Sequence, residues 1–162
     1  MKKSKTLPIY GVGPVYVISC LILTIIALIL NCYKIIPILK FLDLFMIILG
    51  ILFIIIGAIL WLSAVLVTQI DRKIKDGELI TTGIYSIVRN PIYSAFLFIF
   101  TGIIFLVNNI YLLALPITFW IYLTILLKLT EEKWLKDKFT DEYDRYSKNV
   151  NRVIPNVFKY KK

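Results

Sequence analysis

Hydrophobic residues along the chain fall into four long runs, at 9–30, 41–67, 92–107 and 110–127, separated by polar breaks. About 20 apolar residues in helical form cross a hydrocarbon core of roughly 30 Å. The runs therefore predict four membrane-spanning helices. The 27 residues of the second run would extend about 40 Å, so that helix is expected to tilt or to project from the membrane. The third run is short and is parted from the fourth only by Asn108-Asn109, which predicts a tight helical hairpin. After the fourth run, Leu135, Phe139, Tyr143, Tyr146 and Val150 recur at spacings of 4, 4, 3 and 4. That stripe predicts an amphipathic helix.

Composition agrees with this pattern. Of 162 residues, 59% are apolar and the mean hydropathy is +0.83, which is too apolar for a soluble domain of this size. Only helices and closed barrels satisfy their backbone in lipid. The expected fold is all-α, a single polytopic membrane domain over 1–162, with a middle loop at 68–91 and a C-terminal segment at 128–162. A net charge of +9 raises the question of nucleic acid, but the distribution of the 19 basic residues answers it. With four spans, both termini and the middle loop share one side, and 17 basic residues lie there against Lys34 and Lys40 on the other. The positive-inside rule makes that side cytoplasmic, with the basic residues recording topology and contact with anionic headgroups in the cell membrane. No nucleic-acid partner is expected.

The N-terminus opens like a signal peptide, and "VISC" at 17–20 resembles a lipoprotein cleavage box. The apolar run continues past Cys20, however, so an uncleaved span is expected. Cys20 and Cys32 have no metal-ligand spacing and read as apolar fillers. The chain has no histidine, which removes the commonest metal ligand and proton carrier. No metal site is expected. Gly11-Val12-Gly13 has no preceding strand and carries almost no weight as a nucleotide motif.

Two polar stretches remain for chemistry: "LITTGIYSIVRNPIY", 79–93, and "EEKWLKDKFTDEYDRYSKNVNRVIP", 131–155. In the first, Asn90 is suited to cap a helix through its side-chain oxygen, and Pro91 to occupy the first helical position. Pro91 also forces Asn90 out of the helical region. This accounts for Asn-Pro but not for Tyr85, Arg89 and Tyr93 crowding the same end, where free amides suit an anionic group. In the second stretch, Glu131 and Glu132 stand where the fourth span leaves the lipid. Carboxylates there need partners, and Lys128 and Lys136 lie one turn away.

Together, these stretches resemble the isoprenylcysteine carboxyl methyltransferase family and its phospholipid methyltransferase relatives. That pattern is Leu-x-Thr-x-Gly-x-Tyr, Arg-His-Pro-x-Tyr, a Glu-Glu pair, and Phe-Gly-x-x-Tyr-x-x-Tyr ending near Arg-x-x-Pro. The resemblance spans Leu79 to Pro155. It implies an integral-membrane enzyme that uses S-adenosylmethionine without a Rossmann domain and methylates a lipophilic or lipidated acceptor, a carboxylate by preference. It also implies that Leu79, Ile80, Tyr85, Asn90, Pro91, Tyr93 and Glu131 contact the cofactor. Arg89, with Arg152 in reserve, is the candidate for holding an acidic group of the acceptor. Two departures stand out: Asn90 replaces the histidine and Thr140 replaces the glycine. Asparagine supplies a neutral hydrogen bond but cannot titrate, and threonine is able to cap the last helix. Amine or phospholipid N-methylation is an alternative. A steroid-reductase-like enzyme using NADPH is another, disfavoured because Ser94-Ala95-Phe96 follows Tyr93 where glycine and glutamate are typical. A non-catalytic membrane protein is a third.

Overall fold

The computed structural model describes residues 11–66 and 79–156. Residues 9 and 10 of the first run, residue 67 of the second, residues 68–78 of the 68–91 loop and residues 157–162 of the C-terminal segment lie outside the described residues. The fold is helical, as expected. The helices are α1 (Gly13–Cys32), α2 (Asp43–Leu66), α3 (Pro91–Val107), α4 (Ala114–Leu129) and α5 (Glu131–Asn149). A 3-10 turn, Gly83–Ser86, precedes α3, and another, Ile110–Leu113, leads into α4.

Among the described residues, three helical segments are long and apolar enough to cross a membrane: Gly13–Cys32, Asp43–Leu66 and Ile110–Leu129. The third run forms a shorter apolar helix, Pro91–Val107. At 17 residues it rises about 25 Å, a little less than a hydrocarbon core. It is the central helix, packing on α1, α2 and α4. Against α2 the backbones approach closely. A Cβ on Gly57 would sit 2.7 Å from the Ala95 carbonyl oxygen, and one on Gly102 2.7 Å from that of Gly50. Small residues at such crossings let helices associate where lipid provides no hydrophobic drive. The main core lies between α1, α3 and α4, with Tyr16, Cys20, Leu97, Phe100, Phe119, Leu123 and Leu127 buried and Val153 closing it from the C-terminal segment. The outer faces of α1 and α2 remain apolar and exposed, as lipid-facing surfaces require.

The hairpin turn does more than reverse the chain. Asn108 ends α3 in the left-handed region (φ 50), and Asn109 accepts from the Tyr111 amide. Their side chains also reach the α1–α2 connection. Asn108 accepts from the Phe41 amide at 3.0 Å and donates to Asp43 Oδ1, while Asn109 donates to Asn31 Oδ1 at 2.8 Å and to the Pro37 carbonyl at 3.0 Å. Both asparagines are buried, and these bonds satisfy polar groups that would otherwise be costly to bury.

The amphipathic stripe of α5 faces inward, with Tyr143 fully buried and Leu135, Phe139, Tyr146 and Val150 half-buried. The helix is not continuous, however. Thr140 has φ 40, ψ −109 and splits it into two segments. This is the position at which the resembled pattern has glycine, and a β-branched residue with positive φ is strained. Thr140→Gly is expected to stabilise the protein by about 1 kcal/mol, read as a raised thermal midpoint in detergent. A lowered midpoint would mean that threonine is needed there.

Candidate functional site

The site forms where the stretch before α3 meets the segment after α5. Arg89 donates its amide to the Asn151 carbonyl at 2.9 Å, and Asn156 donates to the Ile87 carbonyl at 3.1 Å. The result is a single parallel bridge between Val88 and Asn151. Ser94 Oγ donates to the Val153 carbonyl at 2.6 Å from the first turn of α3. These bonds bring Arg152, 63 residues on in sequence, beside Arg89.

Asn90 and Pro91 behave partly as expected. Pro91 opens α3, and Asn90 stands outside the helix at φ −125, ψ 65. The expected cap is not made. No side-chain cap bond forms at Asn90, and its Nδ2 instead donates to the Arg152 carbonyl at 2.9 Å. The side chain is thus oriented by the half-buried Arg152 carbonyl and not by the helix amides. Asn90 therefore acts as a neutral donor, a part a histidine N–H also fills. Asn90→Leu is expected to cost about 1–3 kcal/mol of stability through the orphaned Arg152 carbonyl, whereas Asn90→His should cost little. Equal thermal midpoints for the two variants would remove this role.

The two glutamates point to different neighbours, as adjacent helical positions about 100° apart require. The expected pairings with Lys128 and Lys136 do not form; better-placed partners from α1, α3 and the C-terminal segment take both acids. Glu131 Oε1 accepts from the Val12 amide at 2.8 Å and from the Tyr93 hydroxyl. Among the described residues its second oxygen has no donor. Burial raises the Glu131 pKa, and the bonds from Tyr93 and Val12 oppose that rise. Tyr85 is close enough to sense this charge: burial first, and then Glu131, push its hydroxyl up to about 12. The Tyr85 carbonyl accepts from the Tyr146 hydroxyl at 2.6 Å, and burial raises the Tyr146 pKa as well. Gly11 lets the N-terminal segment close on this acid. It has φ +52, and an added Cβ would overlap Glu131 Oε1 and lie 2.9 Å from the Tyr93 hydroxyl.

Glu132 is gripped by two guanidinium groups. Arg152 binds it in fork geometry, Nε to Oε1 at 2.5 Å and Nη2 to Oε2 at 2.9 Å. Arg89 Nη2 lies 3.1 Å from Oε1. Their side chains are 8% exposed for Arg89, 15% for Glu132 and 23% for Arg152, so this cluster is largely withdrawn from water. The hydrogen bonds to Glu132 hold the Arg152 pKa above its ordinary value. Arg89 also donates to the Tyr143 hydroxyl at 2.9 Å and stacks over that ring at 5.7 Å. Its Nε is buried without an acceptor among the described residues. Burial pushes the Tyr143 hydroxyl up to about 12, against the pull of Arg89. One carboxylate against two guanidiniums leaves one surplus positive charge. The cluster borders a cavity of about 450 Å3.

Of the candidates from sequence, Tyr85, Tyr93 and Glu131 are thus brought together on one side, and Arg89 and Arg152 on the other. Asn90 lies between, on the Arg152 backbone. Pro91 is buried beneath, and Leu79 and Ile80 are half-buried ahead of the 3-10 turn. Sequence reasoning missed Gly11 and Val12. The only signal for them was the Gly-Val-Gly before the first span. No group of three or more potential metal ligands occurs among the described residues.

A model of the phospholipid methyltransferase family matches residues 45–142. The chain is also 34% identical over 86 residues to a Schizosaccharomyces pombe protein named Protein-S-isoprenylcysteine O-methyltransferase, an overlap covering 52% of this chain and 36% of that protein. The match thus spans about a third of that relative's length. No solved structure is significantly similar to the chain.

Proposed function

Since the chain belongs to the phospholipid methyltransferase family, we propose that it transfers a methyl group from S-adenosylmethionine to a carboxylate on a lipophilic, membrane-borne acceptor. The observation that carries this reading is the back-to-back pair at the head of α5. Glu131 sits in a tyrosine-lined, half-buried setting, and Glu132 is bound by two arginines beside a cavity.

The residues on the Glu131 side fit the cofactor. The free Glu131 oxygen is an acceptor for hydroxyl or amino groups, and charge-assisted bonds of this kind are the stronger ones. Tyr85, Tyr93, Leu79 and Ile80 supply mostly apolar walls over the buried Pro91, with Asn90 fixing the Arg152 backbone behind them. When bound, S-adenosylmethionine supplies an electrophilic methyl group on a sulfonium. The protein's part is to hold the acceptor oxygen in line and to exclude water. A carboxylate acceptor requires no general base, consistent with a chain that has no histidine. Arg89 and Arg152, with their one surplus charge, hold the acceptor's carboxylate. The acceptor's apolar part reaches them from the bilayer.

The experiment is to incubate membranes containing the protein with methyl-labelled S-adenosylmethionine and to extract the lipophilic fraction. A methyl ester releases its label as methanol in base. Label that withstands base would shift the reading to N-methylation, and no transfer at all would reject it.

The 17-to-2 split of basic residues supports a cytoplasmic location for the site and both termini. A reporter fused after Lys162 should be active only in its cytoplasmic form. Activity on the outer face would reverse the topology.

A further inference from the structure

The outer rim of the Glu132 cavity carries charge that the described protein does not neutralise. Within the cavity lining, Glu132 is taken by Arg89 and Arg152, and Asp144 is taken by Lys136 at 3.2 Å. Lys128 and Lys133 also line the cavity, and neither meets a carboxylate among the described residues. Lys133 stands in the first turn of α5, the positive end of a helix dipole, where a cation is disfavoured by the helix itself. Lys128 stands in the last turn of α4, one residue before Leu129, which is 71% exposed. Both lysines are exposed. Here the apolar span ends, which suits these ammonium groups to the depth of lipid headgroups.

We propose that this rim binds the phosphate of an anionic phospholipid from the surrounding leaflet, as a resident ligand and not as the methyl acceptor. The charge balance favours phosphate over a further carboxylate. The two lysines put two positive charges on the rim, beyond the one surplus charge of the inner arginines that is left to the acceptor's carboxylate. A phosphate presents several acceptor oxygens to separately rooted donors, and Lys serves it as a mobile point charge. The inference does not depend on the methyl-transfer reading, because neither lysine belongs to the proposed cofactor or acceptor contacts.

Native mass spectrometry of the full chain in detergent tests it, using equimolar phosphatidylglycerol and phosphatidylcholine with identical acyl chains. The wild-type protein should retain one phosphatidylglycerol about tenfold or more in preference to phosphatidylcholine. Lys128→Gln/Lys133→Gln should reduce that preference to about twofold or less. Lys138→Gln/Lys148→Gln removes the same charge from residues outside the cavity lining and should keep the preference. Equal loss in both double variants would reduce the effect to general charge and overturn the site. No lipid preference in the wild type would also overturn it. A third arm adds inorganic phosphate: displacement of the lipid at equimolar phosphate would make the site one for a soluble ion and overturn the lipid assignment.

Discussion

Glu132→Ala is expected to destabilise the protein by about 3–5 kcal/mol, the cost of stripping the partner from a buried charge. The alternative expectation, that Glu132 pairs with Lys136 at the membrane surface, would cap the loss at about 0.3–0.5 kcal/mol. Geometry decides between them. Arg152 holds Glu132 through two nitrogens, and Arg89 adds a third contact at 3.1 Å. Lys136 is turned to Asp144. Without Glu132, two guanidiniums would face each other at the joint between α3 and the C-terminal segment, with no carboxylate to separate them. Thermal or denaturant unfolding in detergent reads the difference directly. A loss below about 1 kcal/mol would return Glu132 to the class of surface pairs.

Glu131→Ala should have the opposite signature, with the fold kept and cofactor binding lost. Its carboxylate bonds Val12 and Tyr93, so a modest stability loss of about 1–3 kcal/mol is expected from the orphaned donors. Loss of its free oxygen should abolish detectable calorimetric binding of S-adenosylmethionine. The wild-type binding curve should also depend on pH. Only the ionised carboxylate is a pure acceptor, and its pKa is raised by burial. Affinity should therefore be full above the raised pKa and fall as pH drops through it, at a higher pH than for an exposed glutamate. Binding that survives Glu131→Ala would detach the cofactor from this side of α5 and cast doubt on Tyr85 and Tyr93 with it.

The helices were legible because a long apolar run favours a helix: the three segments long enough to cross a membrane and the shorter α3 follow the four runs to within a few residues. The hairpin was legible from Asn108-Asn109. The second task of those asparagines, tying down Asp43 and Asn31, was not, because it depends on which helix ends meet in space. The same limit explains the glutamate partners. Local spacing nominated Lys128 and Lys136, but Arg89 and Arg152 are delivered by the bridge between Val88 and Asn151, which leaves no periodic trace in sequence. Asn90 shows the limit of capping rules. Its type and place fit a cap, yet a half-buried carbonyl 62 residues away took its amide. Gly11 was overlooked because a glycine before a span has no distinctive pattern until its neighbour Glu131 is known. Thr140 could be flagged as a departure from the resembled pattern, whereas its positive φ required the backbone.

The central claim is that the Glu131 side of this bundle holds S-adenosylmethionine. Titrating S-adenosylmethionine, and separately NADPH, into the full wild-type chain in detergent tests it most directly. The account predicts one saturable S-adenosylmethionine site per chain and no heat from NADPH. Binding of NADPH in its place, or of neither, would contradict it.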